Sequence, residues 1–109
     1  MGQDLMLELQ GKIHLLDSAL QQFGNRGRAA AQAEHDYRVE RAKHTLILRD
    51  KGVPATLIQD LCRGEPTIAK LKFEWDVALV SYNAAQEAIN SYKLQIRVLE
   101  STIEREWRS

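Results

Sequence analysis

The feature that most constrains this chain is an unbroken heptad pattern in residues 67–107. Apolar side chains recur there in alternating steps of three and four residues, at Ile68, Leu71, Trp75, Ala78, Tyr82, Ala85, Ile89, Tyr92, Ile96, Leu99 and Ile103. The segment contains neither Gly nor Pro, the two residues that most destabilise a helix interior. The pattern predicts one continuous helix over residues 66–107, with an apolar seam that packs against another helix.

Three further helices are predicted before it, over residues 3–23, 28–51 and 54–63. The first repeats the heptad spacing, at Met6, Leu9, Ile13, Leu16, Leu20 and Phe23. The sequence Gly24-Asn25-Arg26-Gly27 separates the first helix from the second, and Gly52 followed by Pro54 separates the second from the third. We therefore expect a single all-α domain, an elongated antiparallel helical hairpin or bundle that is coiled-coil-like along its C-terminal helix.

Charge and cysteine content narrow the function classes. The 15 basic and 15 acidic side chains cancel, so the net charge favours neither a nucleic-acid binder nor an acidic mimic of nucleic acid. Cys62 is the only cysteine, which excludes an intramolecular disulfide and fits a reducing compartment. No apolar run of about 18 residues occurs and no signal peptide is recognisable, so we expect a cytoplasmic protein without a membrane span.

The predicted helix lengths raise the question of what covers the C-terminal half of the heptad helix. At 1.5 Å per residue that helix is about 60 Å long, whereas helix 28–51 is about 36 Å long. Either residues 24–27 are only a kink and helix 3–23 continues along the heptad helix, or a second protomer covers it. We expect a homo-oligomer whose interface, with itself or with a partner, consists of Ile89, Tyr92, Ile96, Leu99, Ile103 and Trp107.

Residues 24–28 are a candidate anion-binding turn. Arg26, Gly27 and Arg28 would combine two guanidinium groups with exposed backbone N–H groups at the start of a helix. The turn lacks the Lys-Ser/Thr of a phosphate-binding loop, and a helix-to-helix turn with solvated arginines is the simpler interpretation. Bringing several copies together in an oligomer would strengthen the anion-site hypothesis.

Basic residues on helix 28–51 suggest a second, nucleic-acid hypothesis. The helix carries Arg38, Arg41, Lys43, Arg49 and Lys51, and residues 48–63 loosely resemble the first part of a helix-turn-helix. The next long element is the heptad helix rather than a short basic recognition helix. Structural helices with salt-bridged outer faces are therefore the favoured interpretation.

No set of residues indicates catalysis. Asp36, Glu40 and His44 share one helix face beside His35, but their spacing matches no metal-ligand motif, and a solvated face is the simpler interpretation. No His or acidic residue is arranged around Cys62 in the sequence so as to activate its thiol, and a small buried residue is the simpler interpretation. We expect no enzyme activity, no catalytic residues, no metal site and no cofactor.

Three segments resemble small helical proteins of unassigned function encoded by bacterial phages and prophages. They are Tyr37-Arg38-Val39-Glu40-Arg41-Ala42-Lys43, residues 52–64 (Gly-Val-Pro-Ala-Thr-Leu-Ile-Gln-Asp-Leu-Cys-Arg-Gly) and residues 97–107 (Arg-Val-Leu-Glu-Ser-Thr-Ile-Glu-Arg-Glu-Trp). The resemblance covers about the last two thirds of the chain and supplies no catalytic residues. It implies a phage product in the host cytoplasm that acts on host or phage macromolecules.

The leading functional hypothesis is a non-enzymatic phage-encoded binding protein that acts through protein–protein interaction, for example by inhibiting a host defence component. One alternative is a nucleic-acid-binding accessory of phage replication or recombination. Another is an oligomer that sequesters a phosphate-bearing small molecule at residues 24–28.

Overall fold

Three α-helices account for almost all of the chain. The computed structural model describes residues 2–108, and the helices are α1 (Gly2–Asp50), α2 (Ala55–Gly64) and α3 (Pro66–Arg108). The described residues contain no strand, so the predicted all-α class is confirmed. None of these helices is both long and apolar enough to cross a membrane.

The helix boundary predicted at residues 24–27 is wrong, because this segment lies inside the single helix α1. Two glycines in a helix interior cost roughly 1 kcal/mol each relative to alanine. Packing on either side opposes that cost. Phe23 stacks on Tyr82 with ring centroids 4.6 Å apart, and Ala30 is buried. Tertiary contacts therefore override the local preference for a turn, and the predicted helices 3–23 and 28–51 are one element.

The chain divides into two compact units, each built from parts of α1 and α3. Unit 1 combines residues 2–26 with residues 82–108, and unit 2 comprises residues 27–81. In unit 1 the two helical segments are antiparallel, since Phe23 meets Tyr82 while Met6 and Trp107 line one surface depression.

The inward face of α1 in unit 1 differs from the predicted stripe at alternate positions. Leu9, Leu16 and Phe23 are half-buried as predicted, but Met6, Ile13 and Leu20 are 43 to 46% exposed. The residue before each of these three, Leu5, Lys12 and Ala19, is half-buried in its place. A lysine can occupy such a position because its aliphatic stem covers apolar surface while the ammonium group stays in water.

Unit 2 has a small core in which all three helices meet. Leu48 of α1, Ile58 and Cys62 of α2, and Ile68 of α3 form one buried cluster. Tyr37 and Val53 pack against it, and the Tyr37 ring lies 5.5 Å from the Trp75 ring.

Gly52 ends α1 with a hydrogen-bonded cap. Its φ of 78° is the only positive φ in the described chain. The Gly52 N–H donates to the Arg49 carbonyl at 2.9 Å, and the Val53 N–H donates to the Leu48 carbonyl at 3.1 Å. This pair of bonds is the Schellman motif, and the accompanying contact of Val53 with the core that contains Leu48 completes it.

The side chain of Glu65 caps the N-terminus of α3. Its carboxylate accepts a hydrogen bond from the Ile68 backbone N–H at 2.9 Å. This bond, together with the Thr67 backbone N–H and the charge of His44, holds the pKa of Glu65 below its ordinary value against an opposing effect of desolvation. The cap satisfies one of the free N–H groups in the first turn of α3.

Candidate functional site

The C-terminal part of the α3 seam, predicted to be an interface, is packed within unit 1. Ile89 is 6% exposed, and Tyr92, Ile96, Leu99 and Ile103 are half-buried. Of the two arrangements that the sequence left open, the first is observed, because the N-terminal part of α1 packs along this half of α3 in its own chain. An interface with a second protomer at these residues stays a prediction. Trp107 differs, since it is 83% exposed.

The predicted anion-binding turn does not exist as a turn. Arg26, Gly27 and Arg28 lie inside α1, where the backbone N–H groups are used by the helix itself. The Arg26 guanidinium donates to the Gln22 side chain at 3.1 Å. The backbone contribution on which that hypothesis depended is therefore missing.

The candidate helix-turn-helix also lacks a basic recognition helix. Helix α2 carries one basic residue, Arg63, which lies 4.0 Å from Asp60. Arg38 of α1 is engaged as well, by Glu34 at 2.8 Å and by the Trp75 ring at 5.8 Å. No basic face of a short helix is formed that would fit a major groove.

The acidic and histidine face of α1 forms no metal site in the described residues. Asp36 accepts a hydrogen bond from Gln32 at 2.8 Å and lies 3.4 Å from the His35 ring. Cys62 is 1% exposed, and its sulfur lies 3.7 Å from the Thr45 hydroxyl, which donates to the Arg41 carbonyl.

A second apolar stripe lies on α3 in unit 2, on the side facing away from the seam. Phe73, Val77 and Val80 are 66%, 50% and 69% exposed, and their i, i+4, i+7 spacing places them on one face of the helix. We call these three residues the outer stripe. Sequence analysis missed it because the stronger seam pattern dominates this helix, although the same spacing is visible once the seam residues are set aside.

Helix α2 exposes apolar side chains in the same unit. Leu57 and Leu61 are 51% and 48% exposed, whereas Ile58 and Cys62, about 100° further round the helix, are buried. The apolar face of this ten-residue helix is therefore wider than the part that packs in the core, and Leu57 and Leu61 form its exposed margin.

A cationic groove follows α1 in unit 2. Arg41, Thr45 and Arg49, at i, i+4 and i+8, line both a depression of about 420 Å³ on α1 and a second one of about 340 Å³ between α1 and α2. We call these three residues the arginine row. The Arg41 guanidinium donates to the Tyr37 hydroxyl at 3.3 Å. Among the described residues, no carboxylate lies within 4.0 Å of the Arg41 or Arg49 guanidinium.

The described surface thus offers two features that a partner could contact, the outer stripe and the arginine row. Both belong to unit 2. The sequence patterns did not single out the outer stripe, and they grouped Arg41 and Arg49 with the other basic residues of helix 28–51 in the nucleic-acid hypothesis. Comparison with protein-family models, with curated proteins and with solved structures found no match to this chain.

Proposed function

We propose that this chain is a non-enzymatic binding protein that acts through protein–protein interaction, with the outer stripe of α3 as its main contact surface. The observation that carries the proposal is the exposure of Phe73, Val77 and Val80 on one helix face while the opposite seam of the same helix is packed. Contiguous exposed apolar surface is a mark of interaction sites. A helix face with this spacing fits an apolar groove or the face of another helix.

The magnitude supports a binding role of moderate strength. Fully burying a large apolar side chain contributes about 1.5–3 kcal/mol, so burying the exposed half to two thirds of three such side chains contributes roughly 3–5 kcal/mol. Association itself costs several kcal/mol, so further contacts have to assist. Leu57 and Leu61 of α2 are available apolar surface in the same unit.

The resemblance of three segments to phage and prophage proteins motivates the class of partner. A phage product without catalytic residues affects its host by occupying a surface of a host or phage protein. We propose a host defence component as the partner, with self-association of this chain as the competing use of the outer stripe.

The experiment is a binding measurement with matched variants. The wild-type chain is used to recover partners from host lysate, each recovered protein is purified, and its Kd is measured by calorimetry. Phe73→Ser combined with Val80→Ser should raise Kd at least tenfold. Leu94→Ser is the control, because Leu94 is 59% exposed on the same helix but lies in unit 1. Recovery of no partner, or equal affinity of all three proteins, would contradict the proposal.

Light scattering separates the two uses of the outer stripe. If the stripe serves self-association, the wild-type mass will be a multiple of the 12.4 kDa chain mass and Phe73→Ser with Val80→Ser will reduce it to one chain. If it serves a different protein, the variant will lose that partner without a change in its own mass.

The two other functions considered from the sequence receive less support. A nucleic-acid accessory would need a basic reading helix, and the one basic residue of α2 lies beside Asp60. Sequestration of a phosphate compound at residues 24–28 would need a helix N-terminus there, and α1 is continuous through that segment.

A further inference from the structure

We propose that the arginine row of α1 binds a carboxylate-bearing segment of a partner protein, which gives the proposed protein–protein interaction an electrostatic recognition element. This inference rests on the proposed function, because it assigns the chemistry of the partner. It depends on different residues, so the two proposals can be tested separately.

The charges of Arg41 and Arg49 are available to a partner. Arg38 is held by Glu34 at 2.8 Å, whereas Arg41 and Arg49 have no carboxylate within 4.0 Å among the described residues. Arg41 is half-buried, and its guanidinium is oriented by the Tyr37 hydroxyl. A partly desolvated and oriented guanidinium forms stronger bonds to an anion than a freely solvated one.

The spacing of the arginine row along α1 matches that of carboxylates on a helical partner segment. Arg41, Thr45 and Arg49 rise along α1 with about 12 Å between the first and last Cα atoms. Depressions of about 420 and 340 Å³ border the row, so side chains of a partner can lie beside the two guanidinium groups. Two carboxylates about 12 Å apart, which a helix presents at positions i and i+8, match the two guanidinium groups.

The lining of the groove favours a protein segment over a nucleic acid. Leu46 is 59% exposed and lines the groove beside Arg41 and Arg49, so the groove is both apolar and cationic. Two guanidinium groups release too few counterions for strong binding of a phosphate backbone. Arginine and apolar side chains together are typical of protein interfaces.

The test uses a defined probe, a fluorescein-labelled 16-residue helix-forming peptide with two glutamates eight residues apart and leucines between them. Fluorescence anisotropy should show binding to the wild-type chain, and Arg41→Gln with Arg49→Gln should weaken it at least tenfold. Arg97→Gln is the matched control, because Arg97 is exposed on α3 in unit 1. The same peptide with both glutamates replaced by glutamine should bind at least tenfold more weakly.

Each contrary outcome is distinguishable. Absence of peptide binding, or equal binding by the arginine variant, overturns this inference and leaves the outer stripe to be judged by its own variants. If a 20-nucleotide single strand or duplex binds more tightly than the peptide and loses affinity in the Arg41→Gln, Arg49→Gln variant, the groove is a phosphate-backbone site. That result also overturns the proposal.

Discussion

Replacing Gly52 by alanine should destabilise this protein, whereas the same replacement at Gly11 should stabilise it. An added Cβ would meet no atom within 4 Å at either position, so steric contact does not distinguish them. They differ in backbone conformation, since Gly52 has a φ of +78° and Gly11 lies inside α1. The pair therefore isolates the effect of the left-handed cap.

The magnitudes follow from two opposing effects. An L-residue in the left-handed region costs roughly 1–2 kcal/mol, and removing a glycine from the unfolded chain returns about 0.4–1 kcal/mol. We expect Gly52→Ala to lower the free energy of unfolding by about 0.5–1.5 kcal/mol. Gly11→Ala should raise it by about 0.5–1 kcal/mol, because alanine has the higher helix propensity.

Urea titration followed by circular dichroism at 222 nm measures both changes, and thermal melting checks them at about 4 °C per kcal/mol for a chain of this size. Gly52→Asn is a further control, because asparagine tolerates the left-handed region better than alanine and should lose less stability. A Gly52→Ala protein as stable as the wild type, or a change of the same sign for Gly52 and Gly11, would refute the assignment of the cap.

Three other predictions concern burial and charge in unit 2. Ile68→Ala should lower the free energy of unfolding by about 2–5 kcal/mol because Ile68 is 2% exposed, whereas Val80→Ala, at 69% exposure, should change it by less than about 0.5 kcal/mol in the same urea titration. The Cys62 thiol, 1% exposed, should react with a disulfide reagent at the rate of local opening, so a burst at the rate of a free thiol would contradict its burial. The pKa of Glu65 is lower in the folded protein than its ordinary value of 4.5, so the Glu65 carboxylate stabilises the fold at pH values above 4.5. This stabilisation is lost as the pH falls through the lower folded pKa. Glu65→Gln should reduce this loss, and an NMR titration that gives Glu65 a pKa of 4.5 or more would exclude the cap.

The sequence predicted the bounds of α3, the bounds of α2 and the C-terminal end of α1 to within one residue. Every residue of the heptad seam is buried or half-buried, because a repeat of three and four residues places side chains on one helix face whatever lies opposite. Helix α2 and the start of α3 were also placed within one residue, since Gly52, Pro54 and Pro66 act through local backbone preferences.

The candidate sites could not be predicted in the same way. The helical spacing of the outer stripe is present in the sequence, but only the structure shows that the core leaves these three residues exposed. The arginine row depends on the absence of nearby carboxylates around Arg41 and Arg49, which spacing along one helix does not determine.

What the sequence by itself determined is the helical class and the seam of α3, because both follow from periodicity within one segment. Only the tertiary structure decided that α1 is continuous through Gly24 and Gly27 and that Lys12 rather than Ile13 lies inward. Local preference for a turn amounts to about 2 kcal/mol over two glycines, which is within reach of a few packed side chains such as Phe23 on Tyr82. Where local and long-range energies are of similar size, the packing partner decides the outcome.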